Sequence, residues 1–308
     1  MNRPALSLAP TTGHNRDGAR PDRLSDVMLG CSGNDSRTGP PVTANYETVA
    51  GAADSAPWLV MVHGMSQDRR VFDAQVAAFR ARCRILLIDL PGHGLSAAIP
   101  GPFGPVELAA QVAGALEQAG VDRCHYWATH TGTALGLLLA VERSGRFLSM
   151  ILEGPVLPGH PLPSVEQALQ QARHLARTAG LAEARRQWFD TAPWFAVMRR
   201  HPDACRAAAQ RAIIDDFGGA PWLDDGPATA VPPIDEGLAA VDLPVLLYNG
   251  EHDVPDFVAA AARLQALLPQ ATRATIPDAG GFPAWEFPDR VNELVARFLS
   301  LPVDVAEQ

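Results

Sequence analysis

No long apolar run, no cysteine pair and no basic stripe occurs in the 308 residues, and each absence removes a class of function. No stretch is apolar over the length that a bilayer span requires. The opening segment, MNRPALSLAPTTGHNRDGARPDR, lacks the continuous apolar region of a secretory signal. A cytoplasmic location with no membrane partner is therefore expected. Cys31, Cys83, Cys124 and Cys205 stand far apart without a CxxC, which argues against a disulfide framework and a zinc site. Free thiols in a reducing compartment are the expectation. The nine histidines include no HxxxH, so no metal ion is expected, not even from His130, Asp253 and His63 together. The 25 Lys and Arg are scattered against 34 Asp and Glu, for a net charge of -9. That balance offers nothing to a phosphate backbone, and nucleic acid is not an expected partner. There is no internal repeat.

What is present is apolar and periodic. Hydrophobic residues make up 47% of the chain, enough for a sizeable core. SDVMLGC and ANYETVAG read as short strands. APWLVMVHG, RILLIDLPGHG, DRCHYWA and FLSMILEG are apolar on consecutive positions, as strands buried on both faces are. Helical spacing in RRVFDAQVAAFRARC, PVELAAQVAGALEQAG and TGTALGLLLA separates them. The alternation breaks near residue 155 and resumes near 239 with PVLLYNGEHD, DFVAAAARLQALL, ATRATIP and DRVNELVARFLS. Parallel strands need crossover helices, so this order predicts an α/β chain with a mostly parallel central sheet flanked by helices. The expected division is a disordered tail over 1–23, a core over 24–154, a helical insertion over 155–238, the rest of the core over 239–302, and a tail over 303–308.

Ligands of such sheets bind beyond the carboxyl ends of the strands. Those ends carry HGMSQDRRVF, DLPGHGLS, ATHTG and NGEHDVP, and the chain closes with DAGGFPAWEFPDRVNELVARFL. In order and spacing these segments resemble the α/β-hydrolase fold over roughly residues 25 to 300. The resemblance implies that HGMSQDRRVF is an oxyanion loop, that NGEHDVP holds the acid Asp253, and that 155–238 is a lid. It also implies a nucleophile elbow of the form G-x-S-x-G at ATHTG. Centring the elbow on His130 leaves Ala128 and Gly132 as flanks, whereas centring it on Thr131 leaves Thr129 and Thr133. The strained turn requires small flanks, which favours the His130 register.

The chain departs from the family twice: His130 stands at the serine position and Gly281 at the position of the catalytic histidine. One reading joins the two changes. The His130 ring would fill the place that Gly281 leaves empty and hydrogen bond to Asp253, or to Glu153, the alternative acid position. Such an imidazole, with a raised pKa, would serve as a general base. The backbone N–H groups of Met65 and Thr131 would serve as oxyanion donors. His63, Gly64, Trp188, Trp194 and Phe282 are candidate substrate-binding residues.

The expected function is an enzyme acting without a cofactor on a small, largely apolar carbonyl compound: an ester, a lactone or an enolisable ketone. Hydrolysis, cyclisation, lyase or isomerase chemistry and cofactor-less oxygenation all stay open. The alternative is a catalytically dead binding protein or receptor of the same fold.

Overall fold

The computed structural model describes residues 43–231 and 233–301. The expected strand SDVMLGC, both expected tails and Cys31 lie outside the described residues. The strands are β1 (Tyr46–Val49), β2 (Trp58–Val62), β3 (Arg84–Ile88), β4 (Cys124–Thr129), β5 (Phe147–Glu153), β6 (Val245–Gly250) and β7 (Ala271–Ile276). They form one sheet in the order β1-β3-β2-β4-β5-β6-β7. Only β1 runs antiparallel, against β3; every other pairing is parallel.

Successive side chains on a strand point to opposite faces, and here both faces are apolar. Leu59, Met61, Ile85, Leu87, Trp127, Ile151, Leu246 and Tyr248 pack into one core. Their neighbours Val60, Val62, Leu86, Ile88, Tyr126, Met150, Leu152 and Leu247 pack into the other. The unbroken apolar runs in the sequence follow from this double burial. From β2 the chain steps to β3 on one side and then to β4 on the other. The sheet order reverses between β2 and β4, where a crevice opens beyond the strand ends.

Between β5 and β6 the described residues form helices Pro163–Thr178, Leu181–Thr191, Ala196–Arg200, Ala207–Asp216 and Ala220–Leu223, and no strand. Their aromatic side chains Trp188, Phe189, Trp194, Phe195, Phe217 and Trp222 continue the first core. The short helix Asp235–Ala239 belongs elsewhere, since Ile234 and Leu238 join the second core beneath the sheet. Asp256 ties the insertion to the core: its Oδ2 accepts from Ser164 N at 2.8 Å and from Ser164 Oγ at 2.7 Å, at the start of helix Pro163–Thr178. Among the described residues, no helix is long and apolar enough to cross a membrane. Cys83, Cys124 and Cys205 are buried free thiols.

Candidate functional site

β4 ends at Thr129 and helix Thr131–Arg143 begins two residues later, so the whole reversal falls on His130, with φ 42° and ψ −111°. A non-glycine residue held there costs on the order of 1–3 kcal/mol and persists only where its surroundings over-determine it. They do so here. His130 N donates to Glu153 O at 3.0 Å, and His130 O accepts from Thr133 N at 2.8 Å and Thr133 Oγ1 at 2.5 Å. The small flank at Gly132 is obligatory, because a Cβ there would lie 2.5 Å from Val62 O. The turn is thus centred on His130 and not on Thr131.

The ring projects into an aromatic box. It stacks on Phe257 with centroids 4.6 Å apart and an interplanar angle of 26°, and meets Phe282 edge-on at 4.6 Å and 86°. Gly154 closes a third side, where a Cβ would lie 2.6 Å from Nε2. Burial pushes the imidazole pKa down to about 4, against a hydrogen bond with the Gly281 backbone that raises it. Nε2 has no hydrogen-bond partner.

The expected bond from His130 to Asp253 or Glu153, and with it the raised pKa, is therefore not found. Each carboxyl group is engaged elsewhere. Asp253 Oδ2 accepts from Asn249 Nδ2 at 2.8 Å and Oδ1 from Val254 N at 2.8 Å. Glu153 Oε2 accepts from Ala284 N at 2.7 Å, and the Tyr248 hydroxyl bonds to the same carboxyl group. Burial raises Asp253 to about 7 and Glu153 to about 8. A third acid, Glu286, accepts from Gly280 N at 2.5 Å and is pushed by burial to about 8. Sequence reasoning gave Glu286 no role, although it stands in the closing GGFPAWEFP.

Nor does Gly281 leave a space. A Cβ at Gly281 would lie 2.5 Å from Trp194 Cβ, and Gly281 N donates to Trp194 O at 3.2 Å. Trp194 of the insertion occupies the space that a side chain at Gly281 would need.

The pocket above this turn contains about 440 Å³ free of protein atoms, counted out to its mouth. His130, Thr131 and Met65 stand in its wall with Trp188, Trp194 and Phe282, as expected. Val156, Val165, Leu169 and Phe257 complete it. Sequence reading missed these four; the only available signal was Phe257 at the start of the helix after the acid. Gly64 stays outside the wall but presses on the turn: a Cβ there would lie 3.2 Å from His130 Cβ.

His63, expected among the substrate-binding residues, does not line this pocket. It is fully buried, its Nε2 accepts from Leu90 N at 2.9 Å and its Nδ1 bonds to Gly64 O at 2.8 Å. Both nitrogens are spent on bracing the two loops. No group of three or more His, Cys, Asp or Glu among the described residues is placed to hold a metal ion.

Comparison with known proteins agrees with this architecture. The chain is 30% identical over 223 residues, 67% of its length and 82% of the relative's, to 2-succinyl-6-hydroxy-2,4-cyclohexadiene-1-carboxylate synthase of Pectobacterium atrosepticum. Its fold is similar to that of the enol-lactonase from Burkholderia xenovorans LB400, with a TM-score of 0.67 at 23% identity over 83% of this chain and 96% of that one. It is also similar to MenH from S. aureus, with a TM-score of 0.68 at 20% identity over 84% and 98%. The model of the α/β hydrolase fold family matches residues 57–288, and the chain belongs to that family.

Proposed function

We propose that the chain is an enzyme that takes a proton from a small, largely apolar carbonyl compound, with neutral His130 as the base and the insertion as its lid. The observation that carries this reading is a buried imidazole with an unpartnered Nε2, fixed on a strained turn in the wall of a pocket. An unpaired buried nitrogen costs stability, and strain of this kind collects at functional sites.

In this reading the substrate carbonyl oxygen lies against the N–H groups of Met65 and Thr131. As first residue of its helix, Thr131 has an N–H without an intrahelical acceptor. These donors hold the enolate that forms as the imidazole takes the α-proton. Asp253 then becomes the counter-charge: its Oδ2 flanks Gly154 on the side that faces Nε2, and an imidazolium forming there favours ionisation of the acid. No lysine occurs in the sequence, so activation of the carbonyl through an imine is not available. No serine fills the elbow either, which turns the site away from acyl-enzyme hydrolysis. The names of the relatives, a synthase of a cyclohexadiene carboxylate and an enol-lactonase, support chemistry at an enolisable carbonyl.

Exchange of α-protons of enolisable ketones with deuterated water, followed by proton NMR, tests the proposal. Wild type is expected to exchange them well above the buffer rate, and His130→Ala to fall to that rate while keeping its fold. The neutral ring is the active form, so the rate halves as pH falls to about 4, and ionisation of the counter-charge Asp253 adds a second rise near pH 7. Exchange that survives in His130→Ala would falsify the assignment. A passive binding pocket is the second reading, favoured by the absence of any carboxylate bonded to Nε2 in the resting site; ligand binding that His130→Ala leaves intact, with no exchange in wild type, would establish it.

A further inference from the structure

Ten residues form the pocket wall, and none is charged, the only ionisable side chain among them being the imidazole of His130, which burial keeps neutral. Within the insertion, Arg199 Nη1 is committed to backbone, donating to Phe189 O at 2.6 Å and to Ala192 O at 2.8 Å. Asp253, half-buried, flanks Gly154 beside the imidazole, and Glu153 and Glu286 are buried; burial raises the pKa of all three. An anionic ligand would lose its hydration and meet no cation in this wall.

Besides the backbone donors Met65 and Thr131, the wall includes Trp188, which also borders a second hollow between helices Pro163–Thr178 and Leu181–Thr191. Trp188 is 5% exposed, packs edge-on to Trp194 with centroids 4.9 Å apart, and has an indole Nε1–H without a hydrogen-bond partner. Buried indole N–H groups usually find an acceptor. With Trp194, Phe257 and Phe282 completing the broad faces of the wall, the geometry suits a flat unsaturated ring.

We infer that this pocket selects a neutral, planar ring compound bearing a carbonyl or phenolic oxygen that accepts from Trp188 Nε1, and that it rejects carboxylates. The inference rests on the reading that this pocket is where the substrate sits, and it supplies the substrate class.

Calorimetric titration of the wild-type protein at pH 8 with 2-acetonaphthone and with 2-naphthoate tests it, since the two differ chiefly in charge. The ketone is expected to bind on the order of 100-fold tighter. Leu169→Arg, on a half-buried helix position where a long side chain can reach in, is expected to raise naphthoate affinity at least about tenfold. Trp188→Phe keeps the ring and removes the donor; it should weaken the ketone about three- to tenfold and leave naphthalene unchanged. Naphthoate binding as tightly as the ketone in wild type, or neither binding in the millimolar range, overturns the inference. Equal weakening of ketone and naphthalene in Trp188→Phe removes Trp188 from it. Because no turnover is required, ketone binding without His130-dependent exchange would sink the catalytic reading alone. His130-dependent exchange on a keto acid, with naphthoate bound as tightly as the ketone, would sink this one alone.

Discussion

His63 and His93 behind the first loops, and His130 at the strand-to-helix turn, are all buried imidazoles whose pKa is lowered by loss of hydration. They differ in what their nitrogens do. His63 joins Leu90 N to Gly64 O, and His93 accepts from Ser66 N at 3.2 Å while bonding to Pro91 O at 2.9 Å. His130 leaves Nε2 without a partner, on a backbone that is itself strained. Burial and pKa are alike in the two regions, so neither marks a functional group. Their hydrogen bonds differ: the first pair is used up by the fold, whereas the third ring keeps an unpartnered nitrogen, the one the proposed function uses.

Substitution should separate the two regions most sharply. His130→Ala is expected to remove α-proton exchange by at least about 1000-fold and to shift the melting temperature by only a few degrees. His63→Ala reverses the pattern, because it leaves Leu90 N–H buried without an acceptor and opens a cavity. It should cost about 2–4 kcal/mol in chemical denaturation while the folded fraction keeps its specific activity. Loss of activity and stability in parallel in both variants would erase the distinction.

Gly281→His tests the neighbouring space. With Trp194 Cβ 2.5 Å from the added Cβ, overpacking should cost about 1–3 kcal/mol. The double variant with His130→Ser should gain no ester hydrolysis against short activated esters. A well-folded double variant with esterase activity would show that the insertion yields more readily than its packing implies.

A smaller effect sharpens the electrostatic side of the comparison. Glu153, Asp253 and Glu286 hold protons in the folded state to about 8, 7 and 8, well above their unfolded values. Between about pH 4 and 8 the folded chain binds more of their protons, so their contribution to stability declines as pH rises. The histidines act with the opposite sign. His130 and His93 titrate near 4 and 3 when folded, so stability is lost as pH falls below about 6.5. The sum is a maximum on the acid side of neutrality. Glu286→Gln retains an acceptor for Gly280 N and should flatten the alkaline decline in urea unfolding measured from pH 5 to 8. An unchanged slope would mean that Glu286 is ionised in the folded protein.

Much of this was legible in the sequence, because the signals involved are local. Consecutive apolar runs such as LVMV and ILLI give away strands buried on both faces, and Ala128 and Gly132 fix the turn on His130. Those flanks sit within two residues of the strain they relieve. The partner of the His130 ring was not legible, for it depends on contacts made from far along the chain. Phe257 arrives from the helix after β6, Phe282 from the closing segment and Trp194 from the insertion. The satisfaction of Asp253 by Asn249, four residues earlier, involves a short side chain whose direction no pattern reveals. The vacancy expected at Gly281 disappeared for the same reason: a glycine reads as space, but space is held open only if nothing else packs into it.

The contact between Gly281 and Trp194 also works as a ratchet on the sequences open to this chain. Serine introduced at 130 alone gains a hydroxyl with no imidazole to activate it. Histidine introduced at 281 alone strikes the backbone of the insertion, where a Cβ would also lie 3.0 Å from Trp194 O. Either single step toward an ordinary triad loses something before it gains anything, and a return requires the insertion to move at the same time. Under the proposed function, the pocket is thereby held to whatever chemistry a lone imidazole can perform.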